Sequence, residues 1–215
     1  MRVATSPEMV RKIFPDVEVI LDQGSYFAVW RKNRRGVTII PKPRPLEEVL
    51  QILEKGGFPN RFLKLLPHLK RTKAIEAILK KDSAMLFGPA GVGKTTASVW
   101  RIAKMVQTLK VSNPQYLSAV DFEPERVKEI KETADCVLID DLNPRVIPEW
   151  KLQLVVELIY HAHNKDWKLF LTSNDGLKLP QPILSRLVEI CGEPIRLQGE
   201  DLRLRSIKAD KNPKL

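Results

Sequence analysis

Apolar residues follow two regimes along the chain, and the change comes near residue 45. Before it the apolar runs are short. Ser6-Pro7-Glu8 combines an N-cap residue, a proline suited to the first helical position and a first-turn acid. Met9, Val10, Ile13 and Phe14 then share one side of a short helix. Val17, Val19 and Leu21 alternate with polar residues, residues 22–25 turn the chain, residues 26–31 make a second run, residues 33–36 turn it again, and residues 37–40 make a third. This pattern predicts a small antiparallel meander, whose Tyr26, Phe27 and Trp30 either fill its own core or, among Arg31, Lys32, Arg34 and Arg35, present a stacking and charge surface. Pro41, Pro43 and Pro45 follow as a stiff linker.

Beyond the linker the spacing becomes helical. Leu46, Val49, Leu50 and Leu53 mark one helix face, and Gly56-Gly57 supplies its stop. Short helices are predicted over residues 61–66 and 72–80, the second with Ile75, Ile78 and Leu79 facing inward. Uniformly apolar runs then alternate with helical stretches, with strands expected at 84–87, 116–120, 136–139, 168–172 and 195–197. Strands apolar on both sides belong to a parallel sheet covered by helices. The expected plan is a small basic α+β module over residues 1–45, for a partner or DNA, and an α/β domain over 46–215.

Composition narrows the class. Of 215 residues, 43% are apolar, enough for a packed core and too many for a disordered chain. No run approaches the roughly 18 apolar residues of a membrane span, and the N-terminus shows no apolar export signal. Cys136 and Cys191 stand alone in apolar stretches, which argues against structural zinc and points to a reducing, cytoplasmic setting. The net charge is +10, and residues 1–45 hold nine Lys/Arg against four Asp/Glu. That local excess suits nucleic acid or an acidic protein surface.

The chemistry is concentrated in four places. Gly88-Pro89-Ala90-Gly91-Val92-Gly93-Lys94-Thr95 fulfils G-x-x-x-x-G-K-[ST], with a strand entering and a helix, starting near Thr96, leaving. Such a turn aims several amides and a helix N-terminus at one anion, brings Lys94 to the β- and γ-phosphates of ATP, and gives the Thr95 hydroxyl to Mg²⁺. Cys136-Val-Leu-Ile-Asp140-Asp141 ends an apolar strand in two carboxylates, Asp140 for the metal and Asp141 to polarise the attacking water. Asn174 ends another such strand, where it can meet the γ-phosphate or orient water. Arg186, in a short helix after prolines, is placed to act across a subunit boundary. Arg203 is a candidate nucleotide contact from the C-terminal side, with Arg205 an equal claimant.

In this order and spacing the four segments resemble Walker A, Walker B, sensor 1 and the arginine finger of AAA+ ATPases. Within that superfamily the chain is most similar to the DnaC/IstB group of helicase loaders and transposition helpers. Asp140-Asp141-Leu142, Gly57-Phe-Pro-Asn-Arg61-Phe62 and Gly199-Glu-Asp-Leu-Arg203 carry the likeness, which covers about residues 56–205. It implies an AAA+ P-loop fold with a five-stranded parallel sheet between helices and little or no C-terminal lid. It also implies slow, assembly-dependent ATP hydrolysis, a homo-oligomer with ATP at its subunit boundaries, single-stranded DNA and a replicative helicase as partners, and no membrane. An IstB-like helper on duplex DNA is the alternative, and a small-molecule kinase a more distant one. Asn143 departs from the glycine usual after Asp-Asp-Leu, and residues 1–45 match neither the zinc-binding nor the helical N-terminal module of helicase loaders.

Overall fold

A computed structural model of the chain describes residues 3–32, 34–174, 176 and 179–202. Its first helix, α1 (Pro7–Ile13), starts as the residues dictate: the Ser6 side chain accepts a hydrogen bond from the Met9 amide at 3.3 Å, with proline in the first turn. Strands β1 (Val17–Asp22), β2 (Tyr26–Arg31) and β3 (Val37–Pro41) then pair antiparallel in the order β1-β2-β3.

The meander forms, but one of its strands is turned over relative to the alternation in the sequence. A register shift between Val17 and Val19 brings Ile20 opposite Val29, on the side packed beneath α1 with Ala4, Val10, Phe27 and Ile40. Val19 and Leu21 are left about half exposed. One extra residue at a bulge exchanges the two faces of everything after it, because side chains alternate with a period of two. The aromatics divide between the two readings. Phe27 fills the small core, whereas Tyr26 and Trp30 alternate with it and belong to the other face.

The linker is tied down by Arg44. Its amide donates to the Gln107 carbonyl at 2.8 Å, and its guanidinium to the Val106 and Val111 carbonyls at 3.1 and 3.3 Å. Next, α2 (Leu46–Lys55) buries Val49 and Leu53 and stops at Gly56. The helix expected over 61–66 is α3 (Asn60–Leu63), followed by a separate 3-10 turn at Leu66–His68 that accommodates Pro67. The helix expected over 72–80 is α4 (Lys73–Ile78), whose cap Thr72 accepts from the Ile75 amide.

Five parallel strands make the second sheet: β4 (Ala84–Phe87), β5 (Pro114–Ser118), β6 (Cys136–Asp140), β7 (Lys168–Ser173) and β8 (Ile195–Arg196), in the order β5-β6-β7-β4-β8. Their connections include α5 (Lys94–Gln107), α6 (Pro124–Thr133), α7 (Glu149–Asn164) and α8 (Gln181–Cys191). Alternate side chains feed two cores. Ala84, Leu86, Leu138 and Phe170 pack with α2, α4 and α5, while Met85, Val137, Ile139 and Leu171 pack with α6, α7 and α8. Each of the larger of these buried side chains contributes roughly 1.5–3 kcal/mol.

β5 begins two residues before its expected start. Pro114 pairs with Cys136 and Ser118 with Asp140, so Val120 lies past the strand and is 45% exposed. Proline is compatible with the first residue of an edge strand. With the strand order and the glycine turn after β4, the domain has the expected α/β architecture, a five-stranded parallel sheet between helices with a P-loop turn after β4. The region of any C-terminal lid, residues 203–215, lies outside the described residues.

Both cysteines are buried and free. Burial raises the Cys136 thiol well above its ordinary range and pushes Cys191 up to about 12. Among the described residues no helix is long and apolar enough to cross a membrane, and no cluster of three or more His, Cys, Asp or Glu side chains is arranged to hold a metal.

Candidate active site

Strands β4, β6 and β7 are neighbours and parallel, so the segments after their carboxyl ends converge on one edge of the sheet. The turn after β4 is built on backbone that side chains resist. Gly88 has φ 146° and lies against the Leu197 carbonyl, where a Cβ would collide. Gly93 has φ 92° and serves as the N-cap of α5. Val92 anchors the turn in the core, while Pro89 and Ala90 form its exposed crest. The helix expected to begin near Thr96 starts at Lys94, so the first-turn amides of α5 open toward this turn.

Two linked sets of contacts join the three strand ends. Lys94 is 7% exposed, and its Nζ donates to the Gly88 and Pro89 carbonyls at 2.7 and 2.8 Å and to Asn174 Oδ1 at 2.9 Å. Asn174 in turn donates from Nδ2 to Asp141 Oδ1 at 2.8 Å. The second set centres on Asp140. Its Oδ1 accepts from Thr95 Oγ1 at 2.7 Å and Thr172 Oγ1 at 2.6 Å, and its Oδ2 accepts from Tyr116 at 2.8 Å. Sequence reasoning singled out Lys94, Thr95, Asp140, Asp141 and Asn174, and the fold brings all five together.

Asp141 sits in left-handed backbone at φ 56°, a conformation costing about 1–2 kcal/mol for a residue with a Cβ. Thr172 holds it there, accepting from the Asp141 amide at 2.9 Å through the same hydroxyl that donates to Asp140. This twist lets adjacent carboxylates serve different neighbours: Asp140 meets the α5 start and Asp141 meets Asn174.

Thr172 and Tyr116 were not singled out from the sequence. Thr172 did carry a signal, as a hydroxyl inside an apolar strand. Tyr116 carried little, because its partner is set by the pairing of β5 with β6 and by the true start of β5. Burial is the first cause of its raised phenol pKa, with the charge and hydrogen bond of Asp140 adding to it. Tyr116 therefore donates to the carboxylate as a neutral phenol. Its ring also lies 5.7 Å from that of Phe58, which links residues 57–61 to the site.

The donor set suits a hard cation. Thr95 and Asp140 offer a hydroxyl and a carboxylate at contact distance, the oxygen chemistry that Mg²⁺ takes. Arg186 lies elsewhere, half-buried on α8, with its guanidinium 4.5 Å over the Tyr160 ring and Nη1 donating to the Pro182 carbonyl at 3.0 Å. It forms no ion pair among the described residues. Arg203 and Arg205 fall outside those residues. The segment just before them does reach the turn: the Leu202 amide donates to the Gly91 carbonyl at 3.0 Å, and the Asp201 side chain lies against Gly91.

No protein-family model matches the chain, and no curated protein matches it in sequence. Solved structures similar to it include the DnaC helicase loader, with 13% identity and a TM-score of 0.49 over 65% of this chain and 100% of that one. AMPPCP-bound DnaA from Aquifex aeolicus is 15% identical with a TM-score of 0.48, over 67% of this chain and 53% of that one. DnaI is 16% identical with a TM-score of 0.41, over 72% and 95%. The chain thus spans about half of DnaA. Strand order and the geometry of the turn, rather than these distant likenesses, carry the assignment of the fold.

Proposed function

We propose that the chain is a Mg²⁺-dependent, cytoplasmic AAA+ ATPase that loads a ring-shaped replicative helicase onto single-stranded DNA. The observation that supports it best is the joined contact set Lys94–Asn174–Asp141 and Thr95–Asp140 at three adjacent strand ends. In this reading the amides over residues 88–96 cradle the triphosphate, and Lys94 pairs with its β- and γ-oxygens. Thr95 and Asp140 hold Mg²⁺, which when bound offsets negative charge on those phosphates. Asp141 accepts a proton from the attacking water, and Asn174 orients it. Arg203 supplies a contact from the C-terminal side. A homo-oligomer places Arg186 of each subunit at its neighbour's γ-phosphate.

The loader half rests on the likeness of residues 57–62, 140–142 and 199–203 to the DnaC/IstB group, which a transposition helper shares, with residues 1–45 as a partner- or DNA-binding module ahead of the ATPase domain. Its test is reconstitution with the ring helicase of the same cell and circular single-stranded DNA. We expect helicase transfer onto the circle only with ATP, and DNA affinity that falls steeply with added salt. Filaments on duplex DNA that recruit a transposase would overturn the loader reading and leave the ATPase standing. Absence of any nucleotide binding would end both.

Tyr116→Phe gives a narrower check. It removes one hydroxyl from Asp140 without emptying the space, and loss of an outer partner of a metal ligand costs about tenfold or more in metal affinity. The expected result is a Mg²⁺ requirement for ATP-analogue binding raised about tenfold, with metal-free affinity unchanged. An unaltered Mg²⁺ titration would show that Tyr116 merely packs there.

A further inference from the structure

The meander presents one covered face and one open face. Cross-strand pairing puts Val19, Trp30 and Val37 in one row and Leu21, Ala28 and Ile39 in the next. These rows lie opposite the side covered by α1. Val19, Leu21, Val37 and Ile39 are 47%, 46%, 46% and 55% exposed. The solvated side of an antiparallel sheet ordinarily alternates to polar residues, whereas here the two outer strands carry four exposed aliphatic side chains on either side of Trp30 and Ala28 of β2. Together they expose on the order of 300 Å² of apolar surface, comparable to the largest patch on a typical monomer, which is often functional.

Charge identifies the occupant. The β2–β3 turn, at the end of the Val19–Trp30–Val37 row, carries Lys32, Arg34 and Arg35, all exposed. Asp16 and Asp22 are engaged by Arg31 at 2.9 Å and Lys42 at 2.7 Å, and against the exposed carboxylate of Glu18 the three turn cations leave the rim net basic. A second copy would bring the same positive excess against it, and the C-terminal residues 203–215 are themselves basic, with five Lys/Arg against one Asp. Nucleic acid would satisfy the rim but not the face, because bases stack on open rings and Trp30 stands half-buried in the middle strand between Val19 and Val37.

We propose that this open face docks a protein segment that presents aliphatic side chains flanked by carboxylates. The segment lays its apolar side over Leu21, Val19, Val37 and Ile39, and its acids meet Lys32, Arg34 and Arg35. The proposal does not depend on the ATPase reading.

A random-peptide library selected against the full chain tests it, with counter-selection against the double variant Val19→Ser/Ile39→Ser. Enriched peptides should combine Leu, Ile or Val with Asp or Glu, and should shift the methyl resonances of Val19, Leu21, Val37 and Ile39 saturably. They should bind at least about tenfold more weakly to the double variant and to Arg34→Glu/Arg35→Glu. The second variant leaves the apolar face intact, so it remains informative if the first one misfolds. Lys- or Arg-rich peptides, or no enrichment over the variant, would overturn the proposal. So would oligothymidylate shifting the same methyls where acidic peptides do not, or a concentration-dependent dimer that dissolves in Ile39→Ser.

Discussion

Lys94→Ala should reduce ATP affinity by at least about 100-fold, since hydrogen bonds to charged groups contribute roughly 1.5–3 kcal/mol each and the γ- and β-oxygens lose theirs together. The geometry explains why no neighbour substitutes. Lys94 is the first residue of α5, nearly enclosed, with its ammonium held by the Gly88 and Pro89 carbonyls at the turn itself. Those carbonyls belong to a turn with an exposed crest, so water can satisfy them once the lysine is gone. The variant should therefore stay folded, with loss of binding unaccompanied by a large fall in Tm. Titration with a fluorescent ATP analogue beside a thermal melt measures both. Affinity near that of the unaltered chain would remove the phosphate-cradle assignment and all the chemistry attached to it.

What was legible in the sequence divides along physical lines. The turn at 88–95 and the acids after β6 were legible because each is a local device. Positive φ demands glycine, a helix N-terminus follows at once, and a buried strand announces its end by becoming charged. Alternation of apolar strands with helices sufficed for a parallel sheet. Non-local geometry was not legible. The bulge between Val17 and Val19 is a fact about pairing with β2, and it inverted the face to which Val19 and Leu21 belong. The start of β5 at Pro114 is likewise set by its ladder with β6, and the Tyr116 hydroxyl reaches Asp140 from that neighbouring strand. Thr172 lies between these cases: its polarity in an apolar strand was visible, but its double role toward Asp140 and the Asp141 amide required the strands to be placed.

Arg186→Ala should separate binding from hydrolysis. The side chain is half-buried on α8 and engages its own surroundings, stacking on Tyr160 and donating to the Pro182 carbonyl. These partners lie outside the contact set of Lys94, Asp140, Asp141 and Asn174, so ATP affinity of an isolated subunit should change by less than about twofold. An arginine supplied to a γ-phosphate in trans contributes roughly 10³-fold or more to hydrolysis, and the assembled variant should lose activity on that scale. Asp141→Asn should be inactive for a different reason, since it removes the proton acceptor and keeps the arginine. Mixing the two proteins discriminates between a group that acts across a boundary and one that merely shapes α8. A boundary works only when an Arg186→Ala subunit provides the nucleotide site and an Asp141→Asn subunit provides the arginine. In an equal random mixture that is about one of all boundaries in four. Recovery of roughly a quarter of the unaltered activity is the expected outcome. If every mixture is as silent as its components, Arg186 does not act in trans, and its stacking on Tyr160 is then a matter of helix packing alone.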